Sequence, residues 1–172
     1  MKAGHVLVLV AAAALAGCQT MSSDAPLLAS AGLAATKGNK TVGEVTFEQV
    51  GSKVRVTAQL INLKPNQEHG FHIHDKGDCS SGDGMSAGGH FNPYGKPHGK
   101  GAERHAGDLP NLKADAKGRA RLTVDMDVIS LMPGPASIIG RGVIVHADPD
   151  DYTSQPVGNA GARLACGVIK LN

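Results

Sequence analysis

The sequence predicts an all-β fold, a single antiparallel β-sandwich or barrel with two long functional loops. Three observations lead to this prediction. From residue 40 onward, apolar and polar residues alternate with a period of two, as they do in half-buried strands. Turn-forming residues separate these runs, and no long stretch of this region has the period of an amphipathic helix.

The clearest alternating runs are residues 53–62 and 119–128, and Val45 and Phe47 form a shorter one. Turn signals follow the first run at 63–66 and precede the second at 116–118. Residues 138–146 and 163–171 are more continuously apolar, which is typical of central strands.

Two segments interrupt this pattern, residues 75–113 and 147–162. The first is dominated by Gly, Pro, Asp, Ser and His, and seven of the eight histidines lie in or beside the two segments. Loops this long inside a compact domain are usually functional.

The composition is ordinary for one globular domain, with 172 residues, 41% apolar and 19% charged. A net charge of +2 gives no reason to expect nucleic acid or a strongly acidic partner. Aromatic residues are scarce, at 3%, so the core must be built from Val, Ile, Leu and Ala.

Residues 1–17 have the form of a signal peptide, with a positive start and an apolar run at 6–14. The ending Leu15-Ala16-Gly17-Cys18 resembles a bacterial lipobox, in which Cys18 is acylated; the alternative is an ordinary signal peptide with an accidental cysteine. Gln19 in place of Asp resembles a signal for outer-membrane sorting. We therefore expect a protein of the bacterial cell envelope, periplasmic and lipid-anchored to the outer membrane.

This interpretation divides the chain into a signal peptide at 1–17, a lipidated flexible tether at 18–39 and a folded domain at 40–172. The tether is rich in Ala, Ser, Gly and Thr without a clear period. A helix over 27–35 is the alternative, but it would have little to pack against.

Three cysteines are present, and acylation of Cys18 leaves Cys79 and Cys166. In an oxidising compartment, two remaining cysteines most simply form one disulfide. The alternative is two free thiols.

Histidines and one aspartate suggest metal binding. His72 and His74 are two residues apart, which places both imidazoles on one face of a strand. This pair alone is a weak signal, but His146 closes the strand 142–146 and could return to it. Four further candidates fall within nineteen residues of the first loop: His90, His98, His105 and Asp108.

Three imidazoles and one carboxylate complete a tetrahedral zinc shell. A Gly- and Pro-rich loop has little apolar content with which to fold itself, so a metal would supply its order. The alternative is a set of solvated loop histidines.

Five segments together resemble the motifs of the copper/zinc superoxide dismutases, in the family's order and with similar spacings. They are Gly-Phe-His-Ile-His at 70–74, Gly-His-Phe-Asn-Pro at 89–93, Arg-His-Ala-Gly-Asp-Leu at 104–109, Ile-Ile-Gly-Arg at 138–141 and Gly-Asn-Ala-Gly-Ala-Arg-Leu-Ala-Cys-Gly at 158–167. The resemblance runs from about residue 43 to residue 172, and it implies the family's Greek-key strand connections.

The resemblance implies one copper and one zinc ion per subunit, with His90 shared between them. The implied copper ligands are His72, His74, His90 and His146. The implied zinc ligands are His90, His98, His105 and Asp108.

Asp150 matches an aspartate of the family that links the copper ligand His72 to the zinc ligand His98. Such a link is expected, because the second ring nitrogen of a ligand histidine is usually held by a hydrogen bond. Asp148 and Asp151 are the alternatives under a different alignment of the short loop. The resemblance makes His69, which is not a ligand, a structural histidine near the copper site.

The implied reaction converts superoxide to oxygen and hydrogen peroxide by alternate reduction and oxidation of copper, with His90 moving a proton. Arg163 matches the arginine of the substrate channel. The loop 147–162 is short, however, and Val157 replaces a small polar channel residue. Lys96, Lys100 and Arg104 are the remaining candidates for electrostatic steering of the anionic substrate.

Two other functions are alternatives to this one. A non-enzymatic copper-binding module would be expected to lose a copper ligand or Arg163, and none is missing. A zinc hydrolase needs an open zinc position and a general base, whereas Asp108 closes the zinc shell and no spare Glu lies in the cluster.

Superoxide crosses membranes poorly, so an exported enzyme would protect the cell envelope. Segments 138–140 and 167–169 resemble a dimer contact, which favours a homodimer. Lys170, however, occupies a position where a small residue would favour that contact.

Overall fold

The structure is a computed structural model that describes Met1 and residues 25–172. Apart from Met1, the expected signal peptide lies outside the described residues, and so do Cys18 and the first part of the expected tether, residues 18–24. Within the described ranges, no helix is long and apolar enough to cross a membrane.

Ten strands make up the described domain. In chain order they are β1 Leu28–Ala35, β2 Val42–Val50, β3 Lys53–Ile61, β4 Glu68–His69, β5 Phe71–His74, β6 Leu112–Lys113, β7 Ala120–Met126, β8 Gly142–His146, β9 Arg163–Val168 and β10 Lys170–Leu171. Between residues 25 and 172 the only helical element is a single 3₁₀ turn, Met85–Ala87.

Seven of these strands form one antiparallel sheet in the order β5-β8-β9-β1-β2-β3-β7. β10 pairs with β1 beside this path, and β4 and β6 form a separate two-stranded sheet. The chain therefore crosses from β3, near one edge, to β5 at the other edge, as in a Greek-key fold. The predicted all-β, antiparallel fold is confirmed.

Period-two alternation in the sequence corresponds directly to burial. In β3 the alternate residues Val54, Val56, Ala58 and Leu60 are buried, and the residues between them are more exposed. Burying one such aliphatic side chain stabilises the fold by about 1.5–3 kcal/mol. The core continues across β2, where Phe47 is fully buried.

The prediction of a flexible tether is wrong over residues 28–35, and so is the alternative prediction of a helix at 27–35. These residues form β1, which pairs with β2 on one side and with β9 and β10 on the other. Alternate residues Ala29, Ala31 and Leu33 are buried. Because two of these inward-facing residues are alanine, the alternation is weak in the sequence, although it is clear in the structure.

Gly43 in β2 marks a close approach to β3. A Cβ atom at this position would lie 2.1 Å from the carbonyl oxygen of Gln59 and 2.8 Å from the Cα of Leu60. These are backbone atoms in a paired strand, so they cannot move aside as a flexible side chain could. At Gly32, in the neighbouring strand β1, a Cβ would meet no heavy atom within 4 Å.

We predict that Gly43→Ala lowers the free energy of unfolding by about 1–3 kcal/mol, because the added methyl group forces β2 and β3 apart. The matched variant Gly32→Ala should change it by about 0.5 kcal/mol or less, because the site has room. Urea unfolding of both variants measures the difference. Equal effects of the two substitutions would contradict the proposed close approach.

Candidate metal centre

The first candidate metal site is formed by four buried histidines whose ring nitrogens lie within 4.8 Å of one another. They are His72, His74, His90 and His146. Two come from β5, one from the end of β8, and one from the long loop after β5. The structure thus brings together the residues that the sequence analysis assigned to copper.

Local strand geometry positions three of these side chains. Phe71 and Ile73 of β5 are part of the hydrophobic core. His72 and His74 alternate with them along the strand and therefore lie on its opposite face. The β8–β9 pairing has a register shift between Val145 and His146, which sets His146 opposite Arg163. This irregularity brings a ligand candidate and a cation together at one end of the sheet.

The second candidate site shares His90 with the first, and the rest of its side chains come from the same long loop. Its members, His90, His98, His105 and Asp108, are all buried. Their Nδ1 atoms surround one carboxylate, with distances to Asp108 oxygens of 2.8 Å from His90, 3.0 Å from His98 and 3.3 Å from His105. Three nitrogens and one carboxylate form the donor set typical of zinc.

Backbone hydrogen bonds hold this loop against the free edge of β5. Ile73 donates to the carbonyl of Gly107 and accepts from the N–H of Phe91, both at 2.9 Å. Gly107 in turn donates to the carbonyl of Phe91 at 2.9 Å. A Cβ on Gly107 would lie 2.2 Å from the Ile73 oxygen, so this contact requires glycine.

The hydrogen-bond partners of the histidines fix which ring nitrogen keeps its lone pair. Carbonyl oxygens only accept, so His74 Nδ1 donates to Gly88 at 2.9 Å and His146 Nδ1 donates to Gly161 at 3.3 Å. In both residues the proton lies on Nδ1, and Nε2 carries the free lone pair.

The remaining ring nitrogens test whether a metal fits. Among the described residues, buried ring nitrogens without a hydrogen-bond partner include His72 Nδ1, His74 Nε2, His90 Nε2, His98 Nδ1, His105 Nδ1 and His146 Nε2. His98 Nδ1 and His105 Nδ1 lie close to the Asp108 carboxylate but do not form hydrogen bonds with it. Unpaired buried polar atoms are costly, and native proteins have few of them. Six such atoms gathered in two adjoining clusters fit two metal ions that would take their lone pairs.

Asp150 lies buried between the two clusters. Its Oδ2 accepts from His72 Nε2 at 2.9 Å, and its Oδ1 accepts from His98 Nε2 at 2.8 Å. Of the three aspartates considered from the sequence, it is the one that contacts both histidines. Asp148 is exposed, and the Asp151 carboxylate is bonded to Thr153 and Ser154.

A cavity of about 370 Å³ opens beside the first cluster. Arg163 lines it together with His74, His90 and His146, and Met85 and Val157 form an apolar part of its wall. The guanidinium of Arg163 donates to the carbonyls of Gly84 and Gly88, both at 2.7 Å. Among the residues that the structure describes, Arg163 is the only Lys or Arg that lines this cavity.

The three proposed steering cations lie elsewhere. Lys96 pairs with Glu103, Lys100 lies 5.0 Å from the centre of the Tyr152 ring, and Arg104 lies 3.6 Å from Asp127. None of the three lines the cavity that contains Arg163.

The disulfide between Cys79 and Cys166 is present, with the two Cα atoms 5.8 Å apart. It connects the segment that carries the Gly84 and Gly88 carbonyls to β9, which carries Arg163. The prediction of this bond is confirmed.

His69 lies fully buried in β4, outside both clusters. Its Nδ1 donates to the carbonyl oxygen of His146 at 2.8 Å, so it supports the backbone of a ligand candidate.

One contributor to the site was not identified from the sequence. Arg141 stacks its guanidinium 4.4 Å from the centre of the Phe91 ring and donates to Asp75 at 2.7 Å. It thereby links the loop beside His90 to the residue that follows β5. Arg141 belongs to the motif at 138–141, but the sequence analysis gave it no role at the site.

Burial favours the neutral form of three imidazoles of the first cluster, His72, His74 and His146. It lowers the pKa of His72 and His74 well below 6.5, with neighbouring His90 adding to the effect, and it lowers the pKa of His146 to about 4. Burial acts to raise the pKa of Asp108, but hydrogen bonds from His90 and from the Gly99 N–H outweigh it, and the pKa is lowered. Neutral imidazoles and an ionised carboxylate are the forms that bind metals.

We predict that the chelator-treated protein loses stability as the pH falls from 6.5 to about 4. In the unfolded chain His146 takes up a proton near pH 6.5, whereas in the folded protein it does so only near pH 4. Its contribution of about 3 kcal/mol is therefore complete above pH 6.5 and lost on acidification. Urea unfolding across this range measures the change. His146→Gln should make the profile less steep without abolishing it, because the lowered pKa values of His72 and His74 contribute in the same direction. A flat profile for the unsubstituted protein would contradict the prediction.

Comparison with known proteins covers the greater part of the chain. Residues 41–169 match the family model for copper/zinc superoxide dismutase (SODC). Superoxide dismutase [Cu-Zn] 1 of Aquifex aeolicus is 43% identical over 140 residues, which cover 78% of this chain and 82% of that protein. Superoxide dismutase [Cu-Zn] of Schizosaccharomyces pombe is 49% identical over 143 residues, covering 77% of this chain and 92% of that protein.

Among solved structures, the crystal structure of the clock protein EA4 matches with a TM-score of 0.78 and 44% sequence identity. The alignment covers 86% of this chain and 96% of that one. Because the family model and both relatives each match well over half of the sequence, the chain belongs to the copper/zinc superoxide dismutase family.

Proposed function

We propose that this copper/zinc superoxide dismutase binds copper at the first histidine cluster and zinc at the second, and dismutates superoxide in the cavity beside Arg163. The copper ligands are His72, His74, His90 and His146. The zinc ligands are His90, His98, His105 and Asp108.

The observation that carries this assignment is the pair of clusters joined at His90. The first cluster offers four imidazoles, a donor set suited to copper, and the second offers three imidazoles and a carboxylate, a set suited to zinc. His90 belongs to both, and its two ring nitrogens allow one contact on each side. Asp108 completes the second donor set, and both oxygens of Asp150, between the clusters, are engaged by His72 and His98. The site therefore offers no free general base, which favours redox chemistry over metal-assisted hydrolysis.

Copper, when bound, supplies the one-electron exchange with superoxide, and zinc supplies a fixed positive charge. Arg163 provides the attraction for the substrate, because superoxide is an anion and the guanidinium stays protonated. Burial lowers the pKa of Arg163, but the pKa of a guanidinium is normally so far above neutral that the charge is kept. Its two hydrogen bonds to carbonyls hold the charge at the cavity wall, where it can orient an anion beside the histidines.

His90 is the residue positioned to move a proton. It lines the cavity, and its Nε2 has no hydrogen-bond partner in the described part of the chain. Nδ1 is held by Asp108 at 2.8 Å, so the ring keeps its orientation while Nε2 accepts and returns a proton. Asp150 has the corresponding role for His72 and His98, since it fixes the orientation of one ligand at each site.

We predict that Arg163→Ala lowers the rate of superoxide dismutation by roughly tenfold or more, because it removes the only cation in the cavity wall. His146→Ala should nearly abolish activity by removing a copper ligand. Arg121→Ala, an exposed residue of β7, is the control and should leave the rate unchanged. Rates are measured on copper- and zinc-loaded protein, with metal content determined for each variant.

Two bound metal ions without dismutation would overturn the enzymatic assignment. The chain would then be a copper-binding module on a dismutase scaffold. An equal loss of rate in Arg163→Ala and Arg121→Ala would contradict a local role for Arg163.

We further propose that the enzyme protects the bacterial cell envelope, held by a lipid on Cys18 in the periplasm and anchored to the outer membrane. The lipobox-like ending at residues 15–18 supports the lipid, and the Cys79–Cys166 disulfide is in keeping with an oxidising compartment. Superoxide is an anion that crosses membranes poorly, so its removal has to occur in the compartment where it arises.

We predict that the membrane fraction of a producing bacterium contains the chain with a fatty-acylated Cys18, and that Cys18→Ser releases it from that fraction, because acyl chains supply the membrane affinity. Gln19→Asp is expected to move the protein to the inner membrane. Fractionation followed by intact mass determination measures both effects. An unmodified chain in the soluble fraction would contradict the anchor.

A homodimer through residues 138–140 and 167–169 is proposed as the quaternary state. The side chains of Ile139 and Val168 are only partly buried on this face. Lys170 is exposed beside this face. Its charge has to be desolvated only if the dimer contact extends to β10. Sedimentation equilibrium of the metal-loaded protein measures this state.

A further inference from the structure

The end of the sheet where β1 begins forms a distinct surface, which we call the anchor pole. It comprises Leu28, the turn at 50–53, the segment at 130–132 and Leu171. Hydrogen bonds join these parts. Gln49 donates its N–H to Leu27 O at 2.9 Å and accepts from Leu131 N at 2.9 Å, while Asn172 donates to Leu28 O at 3.1 Å.

Large apolar side chains are exposed at the anchor pole. Leu28 is 40% exposed, Val50 39%, Met132 54% and Leu171 51%. Between residues 25 and 172, eight large hydrophobic side chains are exposed, and these are four of them. Exposed apolar side chains gathered in one place are typical of a surface that contacts a partner or a membrane.

The charges at this end do not oppose contact with an anionic lipid surface. Asp125 is neutralised by Arg55 at 2.8 Å, and Glu48 lies on the other side of the same arginine. Lys53 adds a positive charge on the turn itself. The two acids, Asp125 and Glu48, are thus balanced by Arg55 and Lys53. The affinity for the interface between lipid head groups and acyl chains then comes from the apolar side chains.

The metal clusters lie at the opposite end of β1. The strand register runs across the sheet from His72 through Ile144 and Cys166 to Ala34. The metal sites therefore lie at the same height along the strands as Ala34. Ala34 is six residues from Leu28, a separation of about 20 Å along a strand. Arg163 lies beyond this level, because its carbonyl accepts from the Thr36 hydroxyl.

The sequence limits how far the anchor pole can be from the lipid. Leu28 follows Cys18 by ten positions, and a fully extended chain of that length spans at most about 36 Å. This bound keeps the domain at the membrane surface, and the chain enters the domain at the anchor pole. The apolar side chains then determine which side of the domain touches the bilayer.

We infer that the anchor pole rests on the lipid bilayer and that the cavity with Arg163 faces away from it, open to the aqueous compartment. The inference rests on the proposed lipid at Cys18. Its consequence is that superoxide reaches the site without passing between the domain and the membrane.

Single tryptophans test the orientation, since the sequence contains none. Met132→Trp reports on the anchor pole, and Ile61→Trp is the matched control. Ile61 is 46% exposed and pairs with Val42 at the other end of β3. The chain from Cys18 onward is coupled through the Cys18 thiol to a maleimide-bearing lipid in vesicles of phosphatidylethanolamine and phosphatidylglycerol. Cys79 and Cys166 are bonded to each other and do not react.

Brominated acyl chains in the vesicles should quench Met132→Trp by about twofold and leave Ile61→Trp unchanged, because only side chains at the interface reach that depth. Aqueous acrylamide should quench Ile61→Trp more strongly. Adding Val50→Glu to the Met132→Trp chain should reduce quenching by the brominated lipid, which supports a role for the apolar side chains.

Equal acrylamide quenching of both tryptophans would overturn the inference, because the domain would then turn freely on its tether. Lipid quenching of Ile61→Trp alone would also overturn it, by reversing the orientation. So would burial of Met132→Trp in a dimer formed without vesicles, which would make the anchor pole a contact between two copies. Because the lipid is coupled chemically, the result does not depend on whether cells acylate Cys18.

Discussion

The structure depends on a requirement met by five of the six histidines of the two clusters, all but His105. One ring nitrogen has no hydrogen-bond partner among the described residues, and the other is held by a carbonyl or a carboxylate. A neutral imidazole has one donor and one acceptor nitrogen, so a partner that only accepts forces the proton onto the nitrogen it faces. Carbonyls do this for His74 and His146, and the Asp150 carboxylate does it for His72 and His98. The free lone pairs can then converge on a metal.

Meeting this requirement explains why the long loop is fixed to β5. Ligands from β5 and from the loop can share a metal only if the two segments keep a constant separation. Ile73, which lies between His72 and His74, provides this constant separation through its backbone hydrogen bonds with Phe91 and Gly107. The free edge of β5 in the sheet is what leaves these backbone groups available, so the sheet order and the metal site are linked.

Much of this could be predicted from the sequence where residue type carries the signal. Strands such as β3 were predicted because buried valine and leucine alternate with polar residues. The candidate ligands were found because histidine and aspartate at family-like spacings are distinctive. β1 was missed because its buried positions are mostly alanine, which differs little from the small polar residues of a linker. The carbonyls that orient His74 and His146 could not be predicted, since every residue has one and only folding selects which is used.

The carbonyl of Gly88 shows how closely these roles are joined. It accepts from His74 Nδ1 at 2.9 Å and from the Arg163 guanidinium at 2.7 Å, so one oxygen orients a ligand and the cation that attracts substrate. Gly88 adopts a positive φ of 75°, a conformation that side chains disfavour, and this conformation sets the direction of the chain there. The Cys79–Cys166 disulfide ties the same segment to the strand of Arg163. The segment that contains Gly88 therefore controls the distance between His74 and Arg163, and the two side chains cannot shift independently.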